Sequence, residues 1–147
     1  PREYTMSYAR HAVLIGLFAT TSVLAQEGGI SKAPVNLKEA EAQGLHRMSI
    51  EELKPFIPGT HVTKGTTGKS TRTFKPDGAY ERKAFKDFSG TWRFDEGKNA
   101  YCLDVSLRKG MDKICYAVFR APEGKHYFDY DLMNGFYSHT WTPAKAE

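Results

Sequence analysis

The 147-residue sequence is short of the features that mark a catalyst, a metal protein or a nucleic-acid binder. It has only two cysteines, Cys102 and Cys115, with neither a Cys-x-x-Cys spacing nor an adjacent histidine. A zinc site or a dithiol redox motif is therefore not expected there, and no metal or cofactor is assigned. No serine stands in a Gly-x-Ser-x-Gly setting, and Ser89-Gly90 reads as part of a turn, Phe88-Ser89-Gly90, before Trp92. Gly68-Lys69-Ser70 has the ending of a phosphate loop, but Thr63 occupies the place of the first glycine and Ser70 to Phe74 looks extended where a helix is required. The stretch reads as a flexible hairpin loop. Charge of one sign is also scarce: 21 Lys and Arg face 17 Asp and Glu, a net +4. That small, scattered excess favours solubility and excludes a groove of clustered cations and stacking aromatics for nucleic acid. Long apolar runs are missing too, since Ala12 to Ala19 falls well short of the ~20 residues that span a bilayer.

What that run does fit is an export signal. Arg10-His11, the apolar Ala12 to Ala19, then Thr20-Thr21-Ser22 and Val23-Leu24-Ala25 follow the order of a secretory signal peptide, with cleavage expected after Ala25. The competing reading, a buried N-terminal helix of the folded domain, fits that order less well. Met6 reads as the initiator and Pro1 to Thr5 as an upstream extension. No cysteine follows the cut, so no lipoprotein anchor is expected. Removing residues 1–25 leaves about 120 residues, enough for one domain with a real core. The expected location is periplasmic or secreted, where two cysteines ordinarily pair.

The richest stretch is Ala100 to Arg120. Two β-type runs flank Leu107 to Met111, each with one cysteine. If Cys102 lies opposite Cys115, Tyr101 pairs with Tyr116 and Leu103 with Ile114, because side chains alternate faces with period two. The same register gathers Tyr101, Leu103, Val105, Ile114, Tyr116 and Val118 on one face. It puts Cys102, Asp104, Ser106, Lys113 and Cys115 on the other. A disulfide-stapled hairpin explains both sets.

Around it, residues 26–45 read as a flexible linker with at most a short helix between Asn36 and Gln43. Residues 46–147 form a single β-rich domain. A helix from Ser49 to Ile57 opens it, with a Ser49/Glu52 capping box, Ile50, Leu53 and Ile57 on one face, a bend at Pro55, and Pro58-Gly59 as its stop. Candidate strands follow at His61–Gly65, Ser70–Phe74, Ala79–Ala84, Thr91–Phe94, Ala100–Leu107, Lys113–Arg120, His126–Asp131 and Phe136–Thr142. Turn residues such as Pro76-Asp77-Gly78 and Met133-Asn134-Gly135 separate them. The fold class is mostly β: an antiparallel meander of about eight strands curled into a barrel or half-barrel, with the short helix plugging an end or covering an open edge.

Chemistry is harder to place. His126, His139, Asp129 and Asp131 lie in the last two strands, and a turn around Met133-Asn134 sets Tyr127 beside His139 and Asp129 beside Tyr137. Alternation puts His126 on the face opposite Asp129 and Asp131, so three converging ligands are not expected; aromatic pairs with polar neighbours on a wet face fit better. Glu81, Asp87, Asp95, Glu96 and Asp104 read as solvated acids. The aromatics exceed what a small barrel core needs and either line a cavity or fill the core tightly. The cavity reading places Trp92, Tyr101 and Tyr116 in a ligand site at an open end of the sheet.

Phe74-Lys75-Pro76-Asp77-Gly78, Ser89-Gly90-Thr91-Trp92-Arg93-Phe94, Tyr101-Cys102 and Ile114-Cys115-Tyr116, with a helix of Met48 to Leu53 type ahead of them, resemble a small exported bacterial family. That family is catalogued as a domain of unknown function, nine-nine-five. The likeness covers about Leu45 to Tyr130; Tyr116 directly after Cys115 fits the pattern, while the longer Thr63 to Ser70 loop departs from it. It implies a periplasmic protein whose role is unassigned. A weaker likeness is to periplasmic lysozyme inhibitors, small stapled β-barrels, through Ser89-Gly90. The expected function is a non-enzymatic binding domain for a small apolar ligand or an envelope protein. The alternative is an inhibitor or interaction module acting through Thr66 to Ser70 or Ser89 to Thr91.

Overall fold

The computed structural model describes residues 32–105 and 113–142. A short helix, α1 (Leu37–Ala42), and a two-residue strand, β1 (His46–Arg47), precede helix α2 (Ile50–Phe56). Strands β2 (Gly59–Gly65), β3 (Gly68–Phe74), β4 (Ala79–Lys83), β5 (Phe88–Asp95), β6 (Ala100–Asp104), β7 (Ile114–Arg120), β8 (Tyr127–Asp131) and β9 (Tyr137–Thr142) follow. Each pairs antiparallel with the next, and β9 returns to β2, so the eight-strand meander closes into a barrel. Closure removes the free edges that an open sheet leaves. β1 is an additional strand beside β7, beyond the end of β6.

The cysteine hairpin has the register expected of it: Tyr101↔Tyr116, Cys102↔Cys115 and Leu103↔Ile114, with Cys102 and Cys115 disulfide-bonded. Tyr101, Leu103, Val105, Tyr116 and Val118 are buried in the barrel core, with Ile114 packed against it. Ser106 and the Leu107 to Met111 turn lie outside the described residues. The Gly65 to Ser70 stretch is a tight hairpin, Gly65↔Gly68, that runs straight into β3, the extended course that a phosphate loop does not take.

α2 seals one end. Ser49 accepts a hydrogen bond from the Glu52 amide and Glu52 from that of Ser49, the reciprocal cap the sequence predicts. Asn99, in the left-handed region at φ 45, accepts from the Ile50 amide at 3.0 Å and ties the helix to the β5–β6 turn. Ile50, Leu53 and Ile57 are buried with Phe74, Trp92 and Trp141.

Three expectations are corrected. Phe88-Ser89-Gly90 is not a turn but the start of β5, paired with β4 as Tyr80↔Gly90 and Arg82↔Phe88. The chain reverses earlier, where Asp87 accepts from the Ala84 amide at 2.9 Å. The stretch from Lys32 to Leu45, read as part of a flexible linker, is packed onto the barrel's outside: α1 buries Ala40, and Leu45 joins Ala117, Phe119, Phe128 and Tyr130 in a second apolar cluster. Tyr130 secures it by donating to the Pro34 carbonyl at 3.1 Å. The short helix expected between Asn36 and Gln43 is α1, capped by Asn36. The last hairpin pairs Tyr127↔Trp141, Asp129↔His139 and Tyr130↔Tyr137, not Tyr127 with His139. Its reversal is longer than two residues, with Gly135 N–H donating to the Asp131 carbonyl at 2.7 Å, and Ser138 is an extra residue that bulges β9.

Candidate functional site

The barrel interior holds a polar knot at mid-height. In β3 the residues Ser70, Arg72 and Phe74 turn inward together, which brings a guanidinium into the core at 1% exposure. Asp129, at 0% exposure, comes from β8 on the far wall. Arg72 Nη1 donates to Asp129 Oδ2 at 3.1 Å, Nη2 to the Tyr101 hydroxyl at 3.0 Å and Nε to the Tyr80 hydroxyl at 3.0 Å. Tyr101 and the Trp141 indole N–H also donate to Oδ2, and His139 Nδ1 lies 3.0 Å from Oδ1. The guanidinium further sits 5.0 Å from the Trp141 ring centroid and 5.3 Å from that of Phe74, within cation–π range.

Burial alone pushes the Asp129 carboxyl up, but His139, Arg72 and the Tyr101 hydroxyl outweigh it and hold the group down at about 2. Asp129 is therefore ionised, so it accepts from His139, whose proton sits on Nδ1. Burial pushes the Tyr101 and Tyr116 hydroxyls well up, so both remain neutral. With no acceptor capacity to spare, Asp129 is a structural anchor and a poor base.

Beyond the knot, at the end opposite α2, the interior opens into a cavity of about 210 Å³. Phe88, Leu103, Val105 and Ile114 give it apolar walls, and Tyr116, His139 and Arg82 bring polar groups. Arg82 enters from β4 directly across from Arg72, and its guanidinium stacks 5.0 Å from the Phe88 ring centroid. Its buried Nε has no hydrogen-bond partner among the described residues.

The three residues predicted to line one ligand site do not share it. Tyr116 lines the cavity. Tyr101 is fully buried in the knot, and Trp92 lies at the α2 end, donating its indole N–H to the Lys75 carbonyl at 2.8 Å. Asp129, expected beside aromatic pairs on a wet face, is instead the most enclosed acid described. His126 is exposed and 2.6 Å from Glu123, and Asp131 caps the β8–β9 turn through the Met133 amide. Asp95 approaches Cys102 and Cys115, but the sulfurs are joined and offer no metal a thiolate. Of the two loops considered for protein inhibition, Ser89 to Thr91 is strand, and Thr66 to Ser70 is a two-residue turn leading into β3.

Arg72 and Arg82 carry the site and were not singled out in the sequence. The available signal is alternation: Arg72 shares parity with Phe74, and Arg82 with Tyr80. Among the described residues no helix is long and apolar enough to cross a membrane. Comparison with protein-family models, with curated proteins and with solved structures finds no match to this chain.

Proposed function

We propose that this chain is an exported, periplasmic or secreted, non-enzymatic binding domain that holds a small ligand in the barrel-end cavity. The observation that carries the reading is a closed barrel plugged by α2 at one end and hollow at the other, where Phe88, Leu103, Val105 and Ile114 form an apolar wall over a polar floor. Export is supported by the leader-like order of Arg10 to Ala25 and by the disulfide. The likeness of its turn and core motifs to the exported nine-nine-five family accords with that placement. A binding role is supported over catalysis because the buried carboxylate accepts from Arg72, Tyr101, Trp141 and His139 and is held ionised in a structural network.

At about 210 Å³ the cavity lies below the ~300–1,000 Å³ of sites for drug-sized molecules, so its occupant is small. Titrating isotope-labelled protein with a panel of small aliphatic and aromatic probes tests this. Amide shifts clustered at Leu103, Val105, Ile114 and Tyr116 are the expected result. Shifts confined to the outer surface, or none, would overturn the reading.

An envelope protein as partner has its own support. Val35, Val62 and Phe136 are large apolar side chains about half exposed, and they border an outer groove with Lys64 and Lys69. A Phe136→Ser change that abolished capture of an envelope protein while leaving probe binding intact would favour this second reading.

A further inference from the structure

We infer that the cavity's occupant is a small organic carboxylate, its acid group paired with Arg82 and its short apolar tail laid against Phe88, Val105 and Ile114. The inference rests on the binding reading above and adds the ligand's charge and size. Its basis is a charge imbalance inside the barrel. Arg72 and Arg82 face each other across β3 and β4, a juxtaposition of like charges that destabilises a sheet pair unless something lies between or beside them. Among the described residues the buried carboxylate is Asp129, and it is engaged: Oδ2 accepts from Arg72, Tyr101 and Trp141, and Oδ1 from His139. Arg82 forms no ion pair within 4.0 Å among the described residues, and its Nε is buried without an acceptor. A buried N–H on a cation is costly to leave unmatched.

Carboxylate chemistry answers both deficits together. Its two oxygens match the fork of a guanidinium, and a single negative charge balances the one that Arg82 carries without an ion pair among the described residues. A phosphate dianion fits less well, because the other cavity-lining arginine, Arg72, is already paired and four of the walls are apolar. A neutral apolar guest would fill the space and leave Arg82 as it is. Size sets the other bound. The cavity holds about seven waters at ~30 Å³ each, which corresponds to an acid of about eight non-hydrogen atoms.

The test is calorimetric titration of the folded mature chain with a series of straight-chain acids from propionate to dodecanoate, and with the alcohols of matching length. Hexanoate is expected to bind at least about tenfold more tightly than hexan-1-ol, and lengthening the acid from hexanoate to dodecanoate to add little further affinity, because the added carbons lie beyond the apolar wall. Arg82→Gln should erase the preference for the acid while leaving the alcohol's weak binding in place, and Arg82→Lys should restore it in part. Circular dichroism of each variant confirms that the barrel persists. Equal binding of acid and alcohol by the unaltered protein would overturn the carboxylate inference and leave the binding reading standing. Preference for the acid that survives Arg82→Gln would overturn the role of Arg82. Absence of binding by every acid and alcohol would overturn both.

Discussion

Arg72 Nη1 lies 3.1 Å from Asp129 Oδ2, and the two side chains, 57 positions apart in the chain, are 1% and 0% exposed. Burying an ion pair this completely costs desolvation that attraction alone does not repay unless every remaining donor and acceptor is matched. Here Tyr80, Tyr101, Trp141 and His139 supply the matches, drawn from three further strands. The knot therefore ties together walls of the barrel that sequence neighbours do not connect. It fixes the floor on which the end cavity stands.

Removing the carboxylate should be costly whether or not its arginine goes with it, because three further donors depend on it. Asp129→Asn leaves a buried guanidinium without its counter-charge and is expected to cost about 3–5 kcal/mol, a large part of the ~5–15 kcal/mol available to a domain. The double change Arg72→Met with Asp129→Leu is expected to recover little of that loss, because the Tyr101 hydroxyl, the Trp141 indole N–H and His139 Nδ1 then lose their buried acceptor. Urea unfolding of the three proteins checks it. Equal stability of the Asp129→Asn protein and the parent would show that the pair is not the anchor described.

Acid should reveal the same carboxyl. Its folded value is lowered from 3.8 to about 2, so the unfolded chain binds the proton first. The stability it contributes is complete above pH ~4 and is lost as pH falls toward ~2, an amount of about 2 kcal/mol. His61 adds an earlier step. Burial lowers it from the ordinary 6.5, its Nε2 donates to the Ile57 carbonyl at 2.9 Å and its buried Nδ1 has no hydrogen-bond partner among the described residues. Its contribution is therefore full above pH 6.5 and declines as pH falls through its lower folded value. Unfolding free energies measured from pH 8 to 2 should fall in those two stages, with the first absent in His61→Phe. A profile flat to pH 3 in both proteins would contradict the burial of these groups.

The disulfide joins directly opposed residues of β6 and β7. Cys102→Ala with Cys115→Ala should lower stability by about 3 kcal/mol, chiefly by freeing the unfolded chain, and leave the near-ultraviolet spectrum of the folded barrel unchanged. Thermal melts with and without reductant give the same comparison on the natural chain. An unchanged melting temperature after full reduction would remove the staple from the list of stabilising features.

The hairpin was legible in the sequence because two independent sets, a pair of sulfurs and six apolar side chains, obey one period and fail together under a one-residue slip. The closing hairpin was not, because the bulge at Ser138 and a longer reversal shift Asp129 from Tyr137 to His139 without leaving a turn signature that counting can find. Arg72 was hidden by the same physics that makes it unusual. A charged residue on a strand is normally read as the wet face, and only partners distant in sequence make its burial tolerable. Residues 32–45 misled through composition: small and charged side chains suggest a linker, yet Ala40 and Leu45 suffice to seal on Phe119 and Phe128. Trp92, expected in the ligand site, packs in the core at the α2 end, because strand alternation gives the face and says nothing about which end of a barrel is filled.

Gly90 supplies the sharpest local test. A Cβ placed there would lie 2.2 Å from the Asp104 carbonyl oxygen and 2.7 Å from Val105 Cγ1, so β5 and β6 approach more closely than any side chain allows. Tyr80, its direct partner on β4, is buried and has no Cβ opposite it to contend with. The carbonyl belongs to a strand backbone and cannot swing aside as a flexible side chain does. Gly90→Ala should therefore cost about 3 kcal/mol or more by overpacking, and lower the melting temperature by at least about 5 °C. Ser89→Ala, one residue away on the exposed face, should stay within about 0.5 kcal/mol of the parent. Because Val105 also walls the cavity, a folded Gly90→Ala protein should lose affinity for hexanoate as well as stability. A variant as stable as Ser89→Ala would mean that β5 and β6 are farther apart than described, and with them the wall on which the tail of the ligand is placed.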